Sequence, residues 1–201
     1  MHITPWVLET KPSGPAFKKR EGIAFLGGYN HKPNVEAVEF MVTQVMPLLH
    51  AQRPDIKFHV YGSKMPASFD DYETDNVAIE GFAESLDDVY HKHRIFVAPL
   101  ISGAGIKGKV LDAMSYATPT ILTEVAAEGT GLSNGINTLI ANDPADWVEA
   151  IVTLYDDEKL WQRFAENSRL LATENYSFDN GVKRFKKIFE SVGIYSSKEI
   201  C

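Results

Sequence analysis

Short apolar segments alternate along this chain with longer segments of helical periodicity, and no other feature restricts the possible folds as strongly. Six apolar segments, rich in β-branched and aromatic residues, occupy residues 22–28, 56–62, 76–82, 94–100, 119–124 and 137–142. Segments of this composition predict β-strands, and strands that alternate with helices are typical of parallel sheets built from βα units. We therefore predict an α/β fold, a Rossmann-like, doubly wound, mainly parallel sheet of about six strands with helices on both faces.

The segments between the predicted strands place their apolar residues on one helical face. In the first of them these residues are three or four positions apart, at Val35, Val38, Val42, Val45 and Leu49. That spacing indicates a helix with one side turned to the core. Further helices are predicted at 85–93, 109–117, 143–156, 158–173 and 178–192. Ser85 is a candidate N-cap, because its hydroxyl can accept a hydrogen bond from a free amide of the first turn.

The limits of this alternation predict the domain organisation. Residues 1–21 contain Pro5, Pro12 and Pro15, which interrupt any periodicity, and such interruptions are typical of a connecting segment. The whole chain has 201 residues, enough to bury one sizeable core. We predict an interdomain linker at 1–21, one Rossmann-like domain at 22–195 and a C-terminal tail at 196–201.

Composition argues against several functions. The chain has 20 Lys and Arg residues against 27 Asp and Glu residues, a formal net charge of −7 at pH 7. Nucleic acid is not an expected partner, since proteins that bind it usually carry a basic excess. The single cysteine, Cys201, leaves no internal disulfide, and no apolar run approaches the length of about 18 residues that a membrane span needs. A signal peptide's apolar segment is also missing, so we expect a cytoplasmic protein.

The segment SGAGIKGK at 102–109 follows a predicted strand and leads into a helix. In a doubly wound sheet, ligands bind beyond the carboxyl ends of the strands, where such loops lie. The glycines leave backbone amides free to converge on an anion beside a helix N-terminus. Lys107 and Lys109 add positive charge at the same place. The pattern predicts a site for a diphosphate or another compact anion.

The same segment also matches the dinucleotide fingerprint G-x-G-x-x-G, from Gly103 to Gly108. Glu124 ends the next predicted strand, at about the distance of twenty residues that the fingerprint requires. The motif lies late in the series of βα units, however, and lysine is unusual where helix and strand must pack closely. An NAD-binding domain of an oxidoreductase is therefore an alternative interpretation.

Five segments together resemble a known family. They are FLGGYNHKPNVEAV at 25–38, the pair GF at 81–82, VAPLISGAGIKGKVLDAMSYATPTILT at 97–123, AEGTGL at 127–132 and YSFDNGVKRF at 176–185. On these segments the chain resembles the C-terminal, donor-binding domain of retaining glycosyltransferases of the GT-B class, in group 1 (family 4). The resemblance implies that 22–195 binds a nucleotide-sugar. It would be the donor half of a glycosyltransferase that transfers a sugar from a UDP- or GDP-sugar to a glycan, lipid or other acceptor.

The resemblance also implies a donor site. Its residues are Gly27, Gly28, Lys32, Phe82, Gly103, Ala104, Gly105, Ile106, Lys107, Lys109 and Asp112. The glycines at 27–28 would lie close to the donor phosphates. Backbone amides at 105–107 would bind the diphosphate, with Lys107 or Lys109 as the countercharge.

Two further positions would bind the nucleoside. Asp112 takes the place of the second acidic residue of the family's E-x7-E pattern, whose carboxylate accepts hydrogen bonds from the ribose hydroxyls. The alternative interpretation of Asp112 is that the helix dipole stabilises an acidic residue near the helix N-terminus, without any ligand. Phe82 would lie beside the nucleobase, and its alternative is a core aromatic.

The chain departs from the family pattern at two places. Ala104 stands where the pattern has its first glutamate, so the carboxylate that would contact the transferred sugar is missing. Gly28 stands where many members have an arginine, and Lys32 is the nearest cation. These departures keep a non-catalytic sugar-nucleotide-binding module open as an alternative, and no catalytic residue is assigned.

The resemblance further implies partners. The acceptor would bind an N-terminal domain of the same full-length protein, and transfer would need no cofactor and no metal. His91 and His93 are expected to face solvent rather than to bind a metal, because their side chains diverge in a helix or a strand. The predicted last helix carries a basic cluster at 183–187, which permits peripheral contact with the inner face of a membrane as well as packing on a domain.

Overall fold

The structure is a computed structural model that describes residues 6–9, 11–12 and 14–195. In this part of the chain one sheet contains β1 (Ile23–Gly28), β2 (Phe58–Ser63), β3 (Val77–Gly81), β4 (Ile95–Ala98), β5 (Thr120–Leu122) and β6 (Leu139–Ile140). Neighbouring strands are parallel, and their order is β3-β2-β1-β4-β5-β6. This is the doubly wound order with its reversal beside β1, and it confirms the predicted fold class.

The helices of the same part of the chain cover both faces of the sheet. They are α1 (Lys32–Phe40), α2 (Met46–Gln52), α3 (Leu86–Tyr90), α4 (Gly108–Ser115), α5 (Glu124–Ala127), α6 (Pro144–Asp156), α7 (Glu158–Tyr176) and α8 (Phe178–Ser191). The predicted cap of α3 is confirmed, since Ser85 Oγ accepts a hydrogen bond of 3.1 Å from the backbone amide of Asp87.

The helix predicted at 35–49 is interrupted by a π-helical turn at Met41–Val45. Pro47 accounts for the interruption, because proline has no N–H to donate to the carbonyl four residues earlier and its ring crowds that carbonyl. The backbone amide of Met46 instead bonds to the carbonyl of Met41, five residues back. The two helices α1 and α2 thus continue one another across a widened turn.

The strand predicted at 119–124 is shorter in the structure and ends at Leu122. Thr123 ends it, because its Oγ1 accepts a hydrogen bond of 3.1 Å from the backbone amide of Ala126. That bond caps α5, a short helix which the periodicity of the sequence does not predict.

The central strands β1 and β4 are buried on both faces. Ile23 and Phe25 of β1 and Phe96 of β4 are fully buried, as expected for a parallel sheet that lies between two layers of helices. On these layers α6 packs beside α2, and α4 packs beside α7. The core therefore holds the carboxyl ends of the central strands in place, and the loops that follow them share one edge of the sheet.

The segment before β1 packs against the domain through Arg20. Its side chain is 1% exposed, and its guanidinium donates hydrogen bonds to the carbonyl oxygens of Pro15 (2.9 Å) and Tyr90 (2.6 Å) and to Thr118 Oγ1 (3.0 Å). The guanidinium carbon lies 5.0 Å from the ring centroid of Trp161. Burial lowers the pKa of Arg20 to about 10, so it remains charged at neutral pH and anchors this segment.

The predicted domain limits are not decided by this packing. The role of 1–21 as an interdomain linker and the limits 22–195 stay predictions. The predicted tail at 196–201 lies outside the described residues.

We expect Arg20→Met to lower the free energy of unfolding by about 3 kcal/mol, because buried carbonyl oxygens lose a charged donor. Urea denaturation measures this change. Lys19→Met is the matched control, since Lys19 is the exposed neighbour in the preceding turn, and we expect it to cost less than about 0.5 kcal/mol. Equal effects of the two substitutions would show that the hydrogen bonds of Arg20 do not stabilise the fold.

Candidate functional site

A cleft of about 410 Å³ opens at the carboxyl ends of β1, β2 and β3. Its lining consists of Leu26, Gly27, Gly28, Gly62, Ser63, Phe82, Ala83, Leu86, Lys109 and Asp112. The last residues of β1 and β2 and the loop that follows β3 meet the first turns of α4 here, beside the reversal of strand order. In doubly wound folds this is the usual position of a ligand. Five of the residues predicted from the sequence, at 27, 28, 82, 109 and 112, are brought together in it.

A wider depression of about 600 Å³ lies elsewhere, between the end of α6 and the start of α7. It is lined by Thr153, Asp156, Asp157, Glu158, Lys159 and Gln162. It is remote from the carboxyl edge of the sheet, and its acidic, largely exposed lining does not suit an anion. The cleft beside β1 is therefore the candidate site.

Glycines form the floor of the cleft because the backbones of β1 and β2 approach closely there. Gly62 has φ +145°, and a Cβ atom at this position would lie 1.7 Å from the carbonyl oxygen of Gly27. A Cβ on Gly27 would lie 3.0 Å from the side chain of Asn34. A side chain at either position would displace its neighbours, so the floor presents backbone rather than side chains to a ligand.

Lys109 is the cation of the cleft. Its Nζ donates a hydrogen bond of 2.6 Å to Asn34 Oδ1 and lies 4.3 Å from the ring centroid of Phe25. Burial lowers the pKa of Lys109 to about 7, because the ammonium is largely removed from water. Lysines with such strongly shifted pKa values are concentrated at functional sites.

Asn34 is a site residue that the sequence interpretation missed. Its Nδ2 donates a hydrogen bond of 2.8 Å to the carbonyl oxygen of Gly28, while its Oδ1 accepts from Lys109. The side chain thus connects the loop after β1 to α4. The signal was present in the sequence, as a polar residue in the first turn of the helix that follows the glycine pair.

Asp112 follows Lys109 by three positions on α4, and the two side chains therefore share one face of the helix. Asp112 is partly buried, and this burial raises the pKa of its carboxyl group. When ionised, the carboxylate accepts hydrogen bonds and donates none. The face of α4 that borders the cleft thus offers a cation and a hydrogen-bond acceptor side by side.

Phe82 follows β3 and is 74% exposed. The alternative interpretation of this residue as a core aromatic is therefore wrong. Leu86, at the start of α3, is 36% exposed and lines the same wall of the cleft. An exposed aromatic ring beside an aliphatic side chain forms an apolar surface on which a flat ring can pack.

The remaining predicted residues lie at or beyond the rim. Gly103, Ala104 and Gly105 are exposed in the loop before α4. Lys107 is buried, and its Nζ bonds to the carbonyl oxygen of Gly105 at 2.5 Å, within its own loop. Ile106 is partly buried against the core. The sequence left either Lys107 or Lys109 as the countercharge of the diphosphate, and of these two lysines only Lys109 lines the cleft.

Lys32, the other predicted cation, lies outside the lining of the cleft. Its side chain is 85% exposed, and its Nζ forms an ion pair of 2.9 Å with Glu36 Oε1, one turn further along α1. An exposed pair of this kind contributes little to binding or stability.

His93 differs from its prediction. It is buried, with its Nε2 2.9 Å from the hydroxyl of Tyr61, and the expectation that it faces solvent is wrong. Burial lowers the pKa of His93 to about 3, so the ring is neutral at neutral pH. Within residues 6–9, 11–12 and 14–195, no three or more His, Cys, Asp or Glu side chains are grouped as metal ligands would be. Nor does any helix in these ranges combine the length and the apolar character of a membrane span.

Fold and site together define a class of protein. The strand order, the glycine floor at the reversal and the lysine and carboxylate on the following helix describe a Rossmann-like ligand-binding domain. Residues 20–157 match the family Glycosyl transferases group 1. This match covers more than half of the chain, and the chain belongs to that family.

The chain is also similar to a curated protein and to solved structures. An uncharacterized 44.6 kDa protein in the cps region of Klebsiella pneumoniae is 27% identical over 179 residues, 85% of this chain and 44% of that protein. An S. aureus TarM mutant, crystallised with Fondaparinux, alpha-GlcNAc-glycerol and UDP, superimposes with a TM-score of 0.77 at 14% identity, over 91% of this chain and 38% of TarM.

A third comparison covers a single domain. The C-terminal domain of LpcC, a glycosyl transferase group 1 family protein from Francisella tularensis, superimposes with a TM-score of 0.61 at 20% identity, over 80% of this chain and 90% of that domain. The fold is thus the Rossmann-like domain of GT-B glycosyltransferases. The chain spans less than half of the Klebsiella protein and of TarM.

Proposed function

We propose that this chain is the donor-binding half of a glycosyltransferase and that its cleft binds a nucleotide-diphosphate sugar. One observation carries the proposal: Lys109 and Asp112, on one face of α4, line the same cleft as Gly27 and Gly28 at the end of β1. A cation opposite a glycine floor suits a diphosphate, and an acceptor one helical turn away suits the hydroxyls of a ribose.

The donor would lie across the reversal of strand order. Its diphosphate would rest on the backbone of Gly27 and Gly28, with the ammonium of Lys109 as the countercharge. The ribose hydroxyls would donate hydrogen bonds to Asp112, and the base would pack beside Phe82. The ammonium of Lys109 would attract the diphosphate strongly, because water screens a partly buried cation poorly.

Transfer of the sugar would rely on electrostatic stabilisation. As the bond between the sugar and the diphosphate breaks, negative charge accumulates on the departing phosphate oxygen. Lys109, together with the backbone amides at 105–107, would stabilise that charge, which is a form of catalysis that needs no metal ion. The acceptor would bind a second, N-terminal domain of the full-length protein.

A finer description extends the proposal. UDP is the first nucleotide to test, because TarM was crystallised with UDP, and GDP is the second. The acceptor would be a glycan, a lipid or another molecule held by the second domain. The site of action would be the cytoplasm, and α8, with its basic cluster at 183–187, would permit peripheral contact with the inner face of a membrane.

A non-catalytic sugar-nucleotide-binding module is the second candidate. The observation that favours it is Ala104, which is exposed at the rim and supplies no carboxylate to a transferred sugar. Both candidates require a nucleotide site. They differ in whether the full-length protein transfers or hydrolyses the donor sugar, which turnover of a radiolabelled UDP-sugar measures directly.

We expect one nucleoside diphosphate among UDP, GDP and ADP to bind this chain with micromolar affinity, and NAD not to bind. Isothermal titration calorimetry measures both. Asp112→Ala should weaken binding about tenfold or more, equivalent to ~1.4 kcal/mol, because the ribose hydroxyls lose a charged acceptor. Asp146→Ala is the matched control, since Asp146 is an exposed carboxylate in the first turn of α6. Binding of NAD, or equal affinities of the two variants, would contradict the proposal.

A further inference from the structure

Two hydrogen bonds connect α1 to α4 and to the loop that precedes α4. Lys109 Nζ reaches across from α4 to Asn34 Oδ1 on α1, at 2.6 Å. Near the rim, the hydroxyl of Ser102 donates a longer hydrogen bond, of 3.4 Å, to Glu36 Oε2. The helices α1 and α4 therefore contact each other at the place where the donor phosphates are proposed to lie.

The contact between Lys109 and Asn34 is short, but it does not neutralise the ammonium. An ammonium has three N–H donors, and among the described residues the hydrogen-bond acceptor of Lys109 Nζ is Asn34 Oδ1. Asn34 cannot follow the lysine freely, because its Nδ2 is held by the carbonyl oxygen of Gly28 at 2.8 Å. The amide oxygen is neutral, so it orients the ammonium without neutralising its charge.

We propose that Asn34 is a positioning residue whose amide oxygen stands in for a phosphate oxygen of the donor. In the free protein it holds Lys109 at the cleft, and on binding the ammonium transfers its hydrogen bond to the diphosphate. This inference rests on the proposed function and adds to it a residue and an exchange of partners. The anchor at Gly28 keeps Asn34 in place after the exchange, beside the backbone on which the phosphates rest.

Four neighbouring segments place titratable or charged groups near Lys109. On its own helix, Asp112 lines the same cleft, and Lys107 is bonded within its loop. On α1, Glu36 pairs with Lys32 at 2.9 Å. From α3, the hydroxyl of Tyr90 donates to the backbone carbonyl of Lys109, at 3.0 Å, and not to its side chain.

A bound diphosphate would be the strongest negative charge that faces Lys109 and would raise its pKa. In the free protein burial lowers the pKa of Lys109 to about 7, so above pH 7 the lysine is mostly neutral. Binding must then take up a proton, and the affinity falls as the pH rises. At pH 8 the uptake should exceed about half a proton for each nucleotide bound.

Asn34→Asp tests the exchange. The new carboxylate keeps the size of the side chain but cannot donate to the carbonyl oxygen of Gly28. It places a negative charge at the ammonium, so that Lys109 is already protonated before nucleotide binds. We expect the proton uptake at pH 8 to fall from more than about half a proton to below about 0.2 and the dissociation constant to rise tenfold or more. Calorimetric titrations with UDP and GDP, in buffers of different ionisation enthalpy, measure both quantities.

Asn30→Asp is the matched control, because Asn30 is exposed in the turn that precedes α1 and the substitution adds the same charge. It should retain the proton uptake and change the dissociation constant less than about threefold. Asn34→Ala removes the amide without adding charge, so it should also retain most of the uptake. If Asn34→Asp and Asn30→Asp behave alike while the wild-type protein binds a nucleotide, Asn34 does not position Lys109 and only this inference is overturned.

A second readout needs no nucleotide. The side-chain nitrogen of Lys109 can be titrated by NMR in the free protein, with its signal assigned from its loss in Lys109→Arg. Asn34→Asp should raise the pKa of Lys109 by more than about one unit and Asn30→Asp should not. Equal pKa values in these two variants overturn the inference. Absence of nucleotide binding to the wild-type protein overturns the proposed function and, with it, the exchange.

Discussion

Lys109→Met is expected to abolish nucleotide binding and, at the same time, to make the free protein more stable. The ammonium of Lys109 is buried above Phe25, with one neutral hydrogen-bond partner. Methionine has a similar length and no charge to remove from water. We expect the free energy of unfolding at pH 6 to rise by about 2 kcal/mol, while the affinity for the diphosphate falls at least a hundredfold, or ~2.7 kcal/mol.

The stabilisation by Lys109→Met should depend on pH. Burial lowers the pKa of Lys109 from 10.5 to about 7 in the folded protein. Between these two values the unfolded chain binds more protons than the folded one, so this lysine makes the stability of the wild-type protein rise with pH. The cost of the buried charge is therefore largest below pH 7 and declines toward pH 10.5. The stability gained by Lys109→Met should be larger at pH 6 than at pH 9.

Urea denaturation at both pH values and calorimetry with the nucleotide provide the measurements. Lys159→Met is the control, because Lys159 is exposed at the start of α7, away from the cleft, and should affect neither quantity. A variant of Lys109 that is less stable than the wild-type protein at pH 6 would contradict the argument from burial. A variant that still binds with wild-type affinity would exclude Lys109 from the site.

Gly62→Ala is expected to prevent cooperative folding or to reduce the free energy of unfolding by at least about 4 kcal/mol. The methyl group would lie 1.7 Å from the carbonyl oxygen of Gly27, and φ is +145°, where residues with side chains are rarely found. Neither backbone can move away, because Gly27 and Gly62 are paired in the register of β1 and β2.

Gly81→Ala separates the two causes of this effect. Gly81 also has a positive φ, +77°, but a Cβ atom there would meet nothing within 4 Å. Its substitution should cost only about 1 kcal/mol, the cost of the backbone conformation without a clash. Urea denaturation of both variants measures the difference. Equal losses would show that the close approach of β1 and β2 is not what requires glycine at position 62.

The elements of the fold could be predicted because their signals are local. Val35, Val38 and Val42 are spaced so that any helix turns them to one side. The π-helical turn at Met41–Val45 was not predicted. Pro47 shows that the helical hydrogen bonding must change nearby, but it does not show whether the helix ends or continues through a wider turn. The short α5 was missed because one capping hydroxyl, on Thr123, outweighs the strand propensity of its neighbours.

The class of fold and the edge of the sheet that holds the candidate site follow from local patterns, since alternating periodicity implies a parallel sheet and a parallel sheet brings its carboxyl ends to one edge. The sequence also placed a cation and an acidic residue beside each other on α4. Three features required the folded molecule: Lys109 and not Lys107 lines the cleft, Phe82 is exposed, and Asn34 connects α1 to α4. The physical reason is that these properties depend on contacts between segments far apart in the chain, and a local pattern contains no information about which distant side chain will occupy the neighbouring space.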